Sequence, residues 1–349
     1  MLDYTAHQTD AITLAIDALK QKRKLLRIGG YAGAGKTTCL KEVYNCVPGG
    51  AIVAFAGKAC EVLRRKGLPG QTIHSLIYKW NEADQQFYLV EGLEGIEWVG
   101  VDEGSMVGTA LWGDLVSFGL PTLVIGDPGQ LEPVNDEDPH LMRDPDYTLT
   151  EIHRQALNSP IIRLSMQIRE GNEVNWGSFA RPMHAINDEL MWADMVICGR
   201  NKTRCLVNSA IRKAKGFKCV FEEGERLICK NNDKGLGVFN GQMFTVVSID
   251  SDGRYTVLAD GYNTPRKINL TTDGLNQLNK LPWSKVKRHV GKRMIVDYGY
   301  AITCHGAQGS EYEKVAYMDE QCDLWCPVRH RYTGVTRASS ELRVYTDGY

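Results

Sequence analysis

The sequence predicts an α/β protein of two domains, each organised on a parallel sheet, with a β-rich insertion in each. Three observations carry this reading. Short apolar runs stop abruptly at Gly or Asp, helical patterns fill the intervals between them, and the same alternation resumes in the second half of the 349 residues. Such alternation marks βαβ units, because each crossover helix returns the chain to a parallel neighbour. A chain of this length divides readily into two domains, and a hydrophobic fraction of 43% lets each bury an ordinary core.

In chain order, residues 25–28 (Leu-Leu-Arg-Ile) run into Gly29-Gly30, a buried strand meeting a turn. A helical pattern follows from Lys36. Residues 51–56, 97–102 and 122–127 are further apolar runs with helical patterns between them. Asn158-Ser159-Pro160 opens another helix, a cap residue followed by proline in the first turn, and Gly171 closes it. Residues 193–198 read as a strand and 202–215 as a helix stopped by Gly216. Two stretches break the alternation. Residues 77–90 place Ile-Tyr-Lys-Trp and Phe-Tyr-Leu-Val around a polar centre at 81–86, the pattern of a β-hairpin. Residues 222–290 hold short β-like pieces at 226–229, 243–249 and 255–258, with turn signals at Asn240-Gly241 and Asp252-Gly253. They predict a small β-barrel inserted into the second α/β domain.

The formal net charge is −1, which excludes a surface coated in basic charge; any nucleic-acid contact must be confined to a local cleft. Ten cysteines at irregular spacings, a polar start over residues 1–10 and no run of membrane-spanning length predict a reduced, cytoplasmic protein without a membrane partner.

Residues 30–37, Gly-Tyr-Ala-Gly-Ala-Gly-Lys-Thr, fit G-x4-G-K-[ST] after a strand and at the opening of a helix. Gly30, Gly33, Ala34 and Gly35 let backbone amides approach phosphate, and Thr38 continues the cradle into the helix. Lys36 would reach the β- and γ-phosphates of ATP, and Thr37 would hold Mg²⁺. A second apolar strand ends in Asp102-Glu103, expected on a neighbouring strand. Asp102 suits the Mg²⁺ shell, and Glu103 suits orienting or deprotonating the attacking water. A third strand ends in Asp127-Pro-Gly-Gln130, and Gln130 could report the γ-phosphate. Arg154 and Arg337 are candidates for the positive charge that phosphoryl transfer needs in its transition state; if they belong to the second domain, ATP would lie in the cleft between the two domains.

These motifs form an ordered set, and over residues 4–345 the chain resembles superfamily one helicases, within them the compact Dda/RecD type. Thr-Ile-His-Ser at 72–75, Asp-Glu-Gly-Ser-Met at 102–106, residues 126–134, Arg154-Gln155, residues 300–312 and residues 332–338 match successive family motifs. The resemblance implies that Gln8 reads adenine and that Gly309 and Glu311 belong to the nucleotide site. It implies two RecA-like P-loop domains: residues 1–142, carrying a hairpin "pin" within 77–98, and residues 143–221 with 291–349, carrying an SH3-like insertion at 222–290. It also implies 5′→3′ movement on single-stranded DNA and unwinding of forked duplex. Lys58, Thr72, His74, Asn240, Thr303 and His305 would lie along the DNA track. The chain departs from the family at Phe55-Ala56, where Pro-Thr is usual, and at Gly306, where Lys is usual.

Phe87, with Trp80 and Tyr88, could stack on bases or split a duplex, or pack on the domain beneath. The basic cluster at 285–293 could touch phosphates or form a solvated surface. Cys322, Cys326 and His330 have an unusual spacing for zinc and lack an evident fourth ligand, so no metal beyond Mg²⁺ is expected. The expected activity is that of an ATP-driven DNA helicase acting as a monomer, with replication or recombination proteins as possible partners. The alternatives are an RNA helicase, a translocase that does not unwind, and a slow nucleotide-dependent binding switch.

Overall fold

The computed structural model describes residues 4–81, 83, 86–133, 141–151, 158–171, 174–182, 188–233, 235–272, 293–323 and 325–346. The chain divides into two compact units, residues 1–174 with 323–336 and residues 175–322 with 337–349.

The first unit is built on a parallel sheet. Its strands are β1 (Leu25–Gly30), β2 (Gly50–Ala54), β3 (Gln71–Thr72), β6 (Trp98–Asp102), β7 (Thr122–Gly126) and β8 (Tyr147–Leu149), in the order β3-β2-β6-β7-β1-β8. Successive strand residues face opposite sides. Leu26, Ile28, Ile52, Ala54, Leu123 and Ile125 pack with α1 (Ala6–Lys20), α2 (Lys36–Cys46) and α3 (Gly57–Arg65). Val53, Val99, Val101 and Val124 pack on the other side with α4 (Ile73–Ile77) and α5 (Thr109–Val116). Both faces are therefore covered, which is why these strands read as continuous apolar runs. Beyond α4 the chain forms the antiparallel hairpin β4 (Tyr78–Asn81) and β5 (Gln86–Leu89), with Trp80 opposite Phe87. Residues 82, 84 and 85 of its expected tip lie outside the described residues.

The strand order corrects two expectations. Strand β7 lies between β1 and β6, so Asp102 ends a strand one removed from the P-loop strand. Trp98 belongs to the central sheet, because its neighbours pair with β2, so the hairpin segment closes before it. The first unit also runs beyond the expected boundary at 142. Strand β8 pairs in parallel with β1, and α6 (Pro160–Arg169) and α9 (Pro327–Val335) belong to the same unit.

The second unit holds the parallel sheet β17-β10-β18-β19-β9, formed by β9 (Ala180–Pro182), β10 (Met195–Cys198), β17 (Ala301–Thr303), β18 (Tyr312–Met318) and β19 (Ala338–Thr346). Helix α7 (Asn201–Ala214) lays Val207 and Ile211 on Val196, Cys198 and Ala316. A second sheet joins β11 (Arg226–Cys229), β12 (Met243–Ile249), β13 (Tyr255–Ala259), β14 (Arg266–Ile268), β15 (Leu270–Thr271) and β16 (Met294–Tyr298), in the order β14-β13-β12-β11-β16-β15. Alternate residues of it, among them Leu227, Phe244, Val246, Val257, Met294 and Val296, form one core. Strand β16 completes this sheet, so the β-rich segment extends past the expected limit at 290. Most of the basic cluster at 285–293 lies outside the described residues.

Candidate nucleotide and nucleic-acid sites

Three strand ends meet in the first unit. Strand β1 delivers the Gly-rich loop, β6 delivers Asp102-Glu103, and β7 delivers Asp127. Gly33 and Gly35 have φ of +80° and +78°, a left-handed conformation that side chains resist. A Cβ on Gly30 would meet Lys36 Cγ at 2.9 Å, so the loop can fold over its own lysine only without a side chain there. Gly35 stands at the N-cap of α2 without any side-chain cap, and the first amides of that helix point to where an anion would sit. Thr37 and Thr38 are half-buried on its first turn. Lys36 Nζ donates to the Tyr31 carbonyl at 3.2 Å and lies 3.8 Å from Asp127 Oδ2.

Asp102 is buried. Burial, and then the adjoining Glu103 charge, push its carboxyl up to about 7, while Lys36 pulls the other way. Glu103 has φ of +52°, a conformation uncommon for a residue with a Cβ and typical of strained functional positions. Gly104 follows because a Cβ there would stand 2.4 Å from Val124. Ser105 joins the two strand ends, its hydroxyl donating to the Asp127 carbonyl at 2.6 Å and accepting from the Asp127 amide at 3.0 Å. Gln130 is buried with its amide nitrogen 3.5 Å from Asp127 Oδ2. At this site two buried atoms, Glu103 Oε2 and Gln130 Oε1, have no hydrogen-bond partner among the described residues. An unsatisfied buried oxygen costs about 1–3 kcal/mol. The cradle, the two acidic groups and these acceptors fit a metal-bound nucleoside triphosphate and its attacking water.

Sequence reading gave no role to several residues that organise this place. Asp127 is fully buried and accepts from the Gly129 amide at 2.9 Å and from the Tyr332 hydroxyl at 2.7 Å. Arg329 donates to the carbonyls of Pro128 and Gln130 at 2.9 and 2.8 Å, and Thr333 Oγ1 accepts from the Leu131 amide at 2.9 Å. Arg169 stacks its guanidinium 3.4 Å from the centroid of Tyr31. These partners lie up to 205 residues apart, and no local signal joins them. Gln8, the residue expected to read adenine, lies against the phosphate loop. It is 1% exposed, with Nε2 on the Ala34 carbonyl at 3.0 Å and Oε1 accepting from the Thr5 amide at 3.0 Å, so in this state it braces the loop. Arg154 lies outside the described residues.

In the second unit, Arg337 is buried and donates to the Ser310 carbonyl at 3.0 Å, and its own carbonyl accepts from the Tyr312 amide. Gly309 has φ of +68° and Glu311 is exposed beside it.

The expected DNA residues fall on both units. Thr72 caps α4, accepting from the Ser75 amide at 3.1 Å, and directs His74 outward between Phe55 and Tyr78, with ring centroids at 6.1 and 5.7 Å. Lys58 stands on the first turn of α3. Thr303 caps the short helix α8 (Cys304–Ala307), accepting from the Gly306 amide at 3.2 Å, and His305 follows, its imidazole held below its ordinary value by partial burial. Asn240 is exposed at a turn where its amide donates to Asn232. On the hairpin, Phe87 is 58% exposed and meets Trp80 edge-on at 4.9 Å. Among the described residues no cluster of three or more His, Cys, Asp or Glu side chains could hold a metal ion, and no helix is long and apolar enough to cross a membrane.

A family model described as an AAA domain matches residues 3–186, just over half of the chain, and a UvrD-like helicase C-terminal domain matches residues 298–345. The chain is 26% identical over 365 residues to the ATP-dependent RecD2 DNA helicase of Deinococcus radiodurans, covering 93% of this chain and 47% of that protein. It is 30% identical over 192 residues to the ATP-dependent DNA helicase Dda of Enterobacteria phage T4, covering 48% of this chain and 43% of that one. It thus spans less than half the length of either relative. The Pif1 helicase from Bacteroides in complex with ADP-AlF3 and single-stranded DNA superposes with a TM-score of 0.65 over 98% of this chain and 92% of that one, at 18% identity.

Proposed function

Because this chain belongs to the superfamily one helicases of the Dda, Pif1 and RecD type, we propose that it hydrolyses ATP to move 5′→3′ along single-stranded DNA and to open duplex ahead of it. The observation that carries the proposal is the convergence of Lys36, Asp102, Glu103 and Gln130 on three strand ends, with Glu103 Oε2 and Gln130 Oε1 buried and unsatisfied. Thr37 and Asp102 would hold Mg²⁺, which supplies positive charge to the phosphates. Lys36 binds the β- and γ-phosphates. Glu103 orients the attacking water and takes its proton, and Gln130 registers the γ-phosphate. Arg154 and Arg337 stabilise charge on the transferring group, and Gly309 and Glu311 support that contact. Gln8 holds the loop and meets the base. The proposed domain plan is two RecA-like domains, a pin on the first and an SH3-like insertion on the second.

Thr72, His74, Thr303 and His305 repeat one device in both units, a threonine-capped turn presenting a histidine, which suits alternating grip on one strand. Lys58 and Asn240 would add further contacts to the same strand. Phe87, exposed and braced by Trp80, offers a flat apolar face for the last base pair of a fork. The test pairs ATPase on poly-dT with strand displacement on duplexes bearing a 5′ or a 3′ tail. Large DNA stimulation and displacement only from the 5′ tail are expected. Phe87→Ala should cut displacement several-fold while leaving the ATPase intact. Hydrolysis indifferent to DNA would identify a slow switch instead, and displacement only from the 3′ tail would reverse the assigned direction.

A further inference from the structure

One hydroxyl links the phosphate loop to the buried aspartate at the end of β7. Tyr332 Oη accepts from the Ala32 amide at 2.9 Å and donates to Asp127 Oδ2 at 2.7 Å. Its ring is 1% exposed and packs against Gly129, where a Cβ would stand 3.1 Å from Tyr332 Cε1. Arg329, Tyr332 and Thr333 share one face of α9, and all three bond the chain from Asp127 to Leu131. Helix α9 is therefore fixed to this loop at three points, and the hydroxyl cannot move without moving the loop.

The charges give this link a consequence. Asp127 is a carboxylate without solvent, and an uncompensated buried charge is costly. The cation beside it is Lys36, at 3.8 Å. Under the function proposed above, Lys36 must serve phosphate and so must loosen its hold on Asp127. The carboxylate can release it only if other donors remain; among the described residues those are the Gly129 amide, the Tyr332 hydroxyl and, at the longer distance of 3.5 Å, the Gln130 side-chain amide.

We propose that Tyr332 is a positioning residue of the ATP site, whose hydroxyl satisfies Asp127 and thereby frees Lys36 for the phosphates. It acts through Asp127 and touches no reacting atom. Without the hydroxyl, Asp127 claims Lys36 more strongly and phosphate must compete for it.

The inference rests on the nucleotide-site reading, and the experiment separates the two. In the full chain, Tyr332→Phe keeps the ring and its packing and removes both hydrogen bonds. It should raise the KM for ATP about tenfold, the effect of one hydrogen bond to a charged group, with a smaller change in kcat. Asp127→Asn removes the competing charge, so Tyr332→Phe added to Asp127→Asn should raise KM less than twofold further. A merely structural tyrosine would lower the melting temperature equally in both backgrounds and leave the ratio of KM to kcat unchanged. An unchanged KM in Tyr332→Phe, or the same fold-change in both backgrounds, overturns the proposal. Lys36→Ala is the control on the underlying reading. Loss of hydrolysis there alongside a wild-type Tyr332→Phe rejects the tyrosine alone, whereas hydrolysis surviving Lys36→Ala rejects the site and the tyrosine together.

Discussion

The loop from β1 to α2 and the loop from β10 to α7 do the same structural job, each leading from a buried parallel strand into a helix packed on its sheet. They treat the exposed amides at the helix start in opposite ways. In the first unit the loop is rich in glycine, its helix has no side-chain cap, and its lysine waits beside a carboxylate. In the second unit a single acidic side chain fills the same role from within. Glu320, just beyond β18, accepts from the amides of Gly199 and Arg200 and from the Thr203 hydroxyl. A helix N-terminus favours an anion in either case. The second unit carries its own, and the first leaves the position to a ligand. Under the proposed function, the difference separates the scaffold that would turn over nucleotide from the one that would serve as frame.

The largest effect that could break this comparison lies in the first unit. Glu103→Gln should lower kcat for ATP by about 10²–10⁴, the usual contribution of a positioned base, while the affinity for a fluorescent ATP analogue stays within a few-fold. Near wild-type turnover would remove Glu103 from its assigned role and leave the strained +52° backbone without a chemical reason.

The contrast between the loops was half readable in advance. Glycine spacing, Lys36 and the acidic pair are local features, and a strand before with a helix after is all their reading requires. The sheets followed for the same reason, since runs buried on both faces stand out as uninterrupted apolar segments. Strand order was not local, and β7 intruded between β1 and β6 because adjacency depends on where each crossover lands. Asp127 and Tyr332 fall within the matched motifs, but their contact, like that of Arg329 with the same loop, was not readable because it spans 205 positions of chain for the tyrosine alone. Glu320 escaped likewise: an acidic residue after a strand usually faces solvent, and only the fold carries it to Gly199. The motif marks Gln8, but its bonds to Thr5 and Ala34 are visible only in the fold.

A smaller effect sharpens the comparison from the second unit. Glu320→Ala removes three hydrogen bonds to a charged acceptor at the start of α7. It should destabilise the protein by about 2 kcal/mol in denaturant melts, between the cost of a lost cap and that of a lost charged hydrogen bond. Added inorganic phosphate should recover part of the loss, because the vacated amides then resemble those of the first unit. KM for ATP should not change. A melt unaffected by the substitution would mean that the second loop needs no anion, and the parallel with the first would fail.

The smallest effect concerns Asp102 and is read from pH. Burial and the Glu103 charge raise its carboxyl from 3.8 to about 7, so the folded chain holds this proton more tightly than the unfolded chain does. Between those two values the folded state binds more protons, and stability from this group falls as pH rises, levelling once both states have ionised. Asp102→Asn has no proton to lose. Its melting temperature should therefore pull ahead of wild type by a few degrees from about pH 4 to about pH 7, with the gap constant above that. Mg²⁺ should narrow the gap, since a divalent cation favours the carboxylate and stabilises only the wild type. A gap that shrinks with rising pH would mean that Asp102 is charged and well paired without a metal. The first unit would then satisfy its strand end internally, as the second does with Glu320.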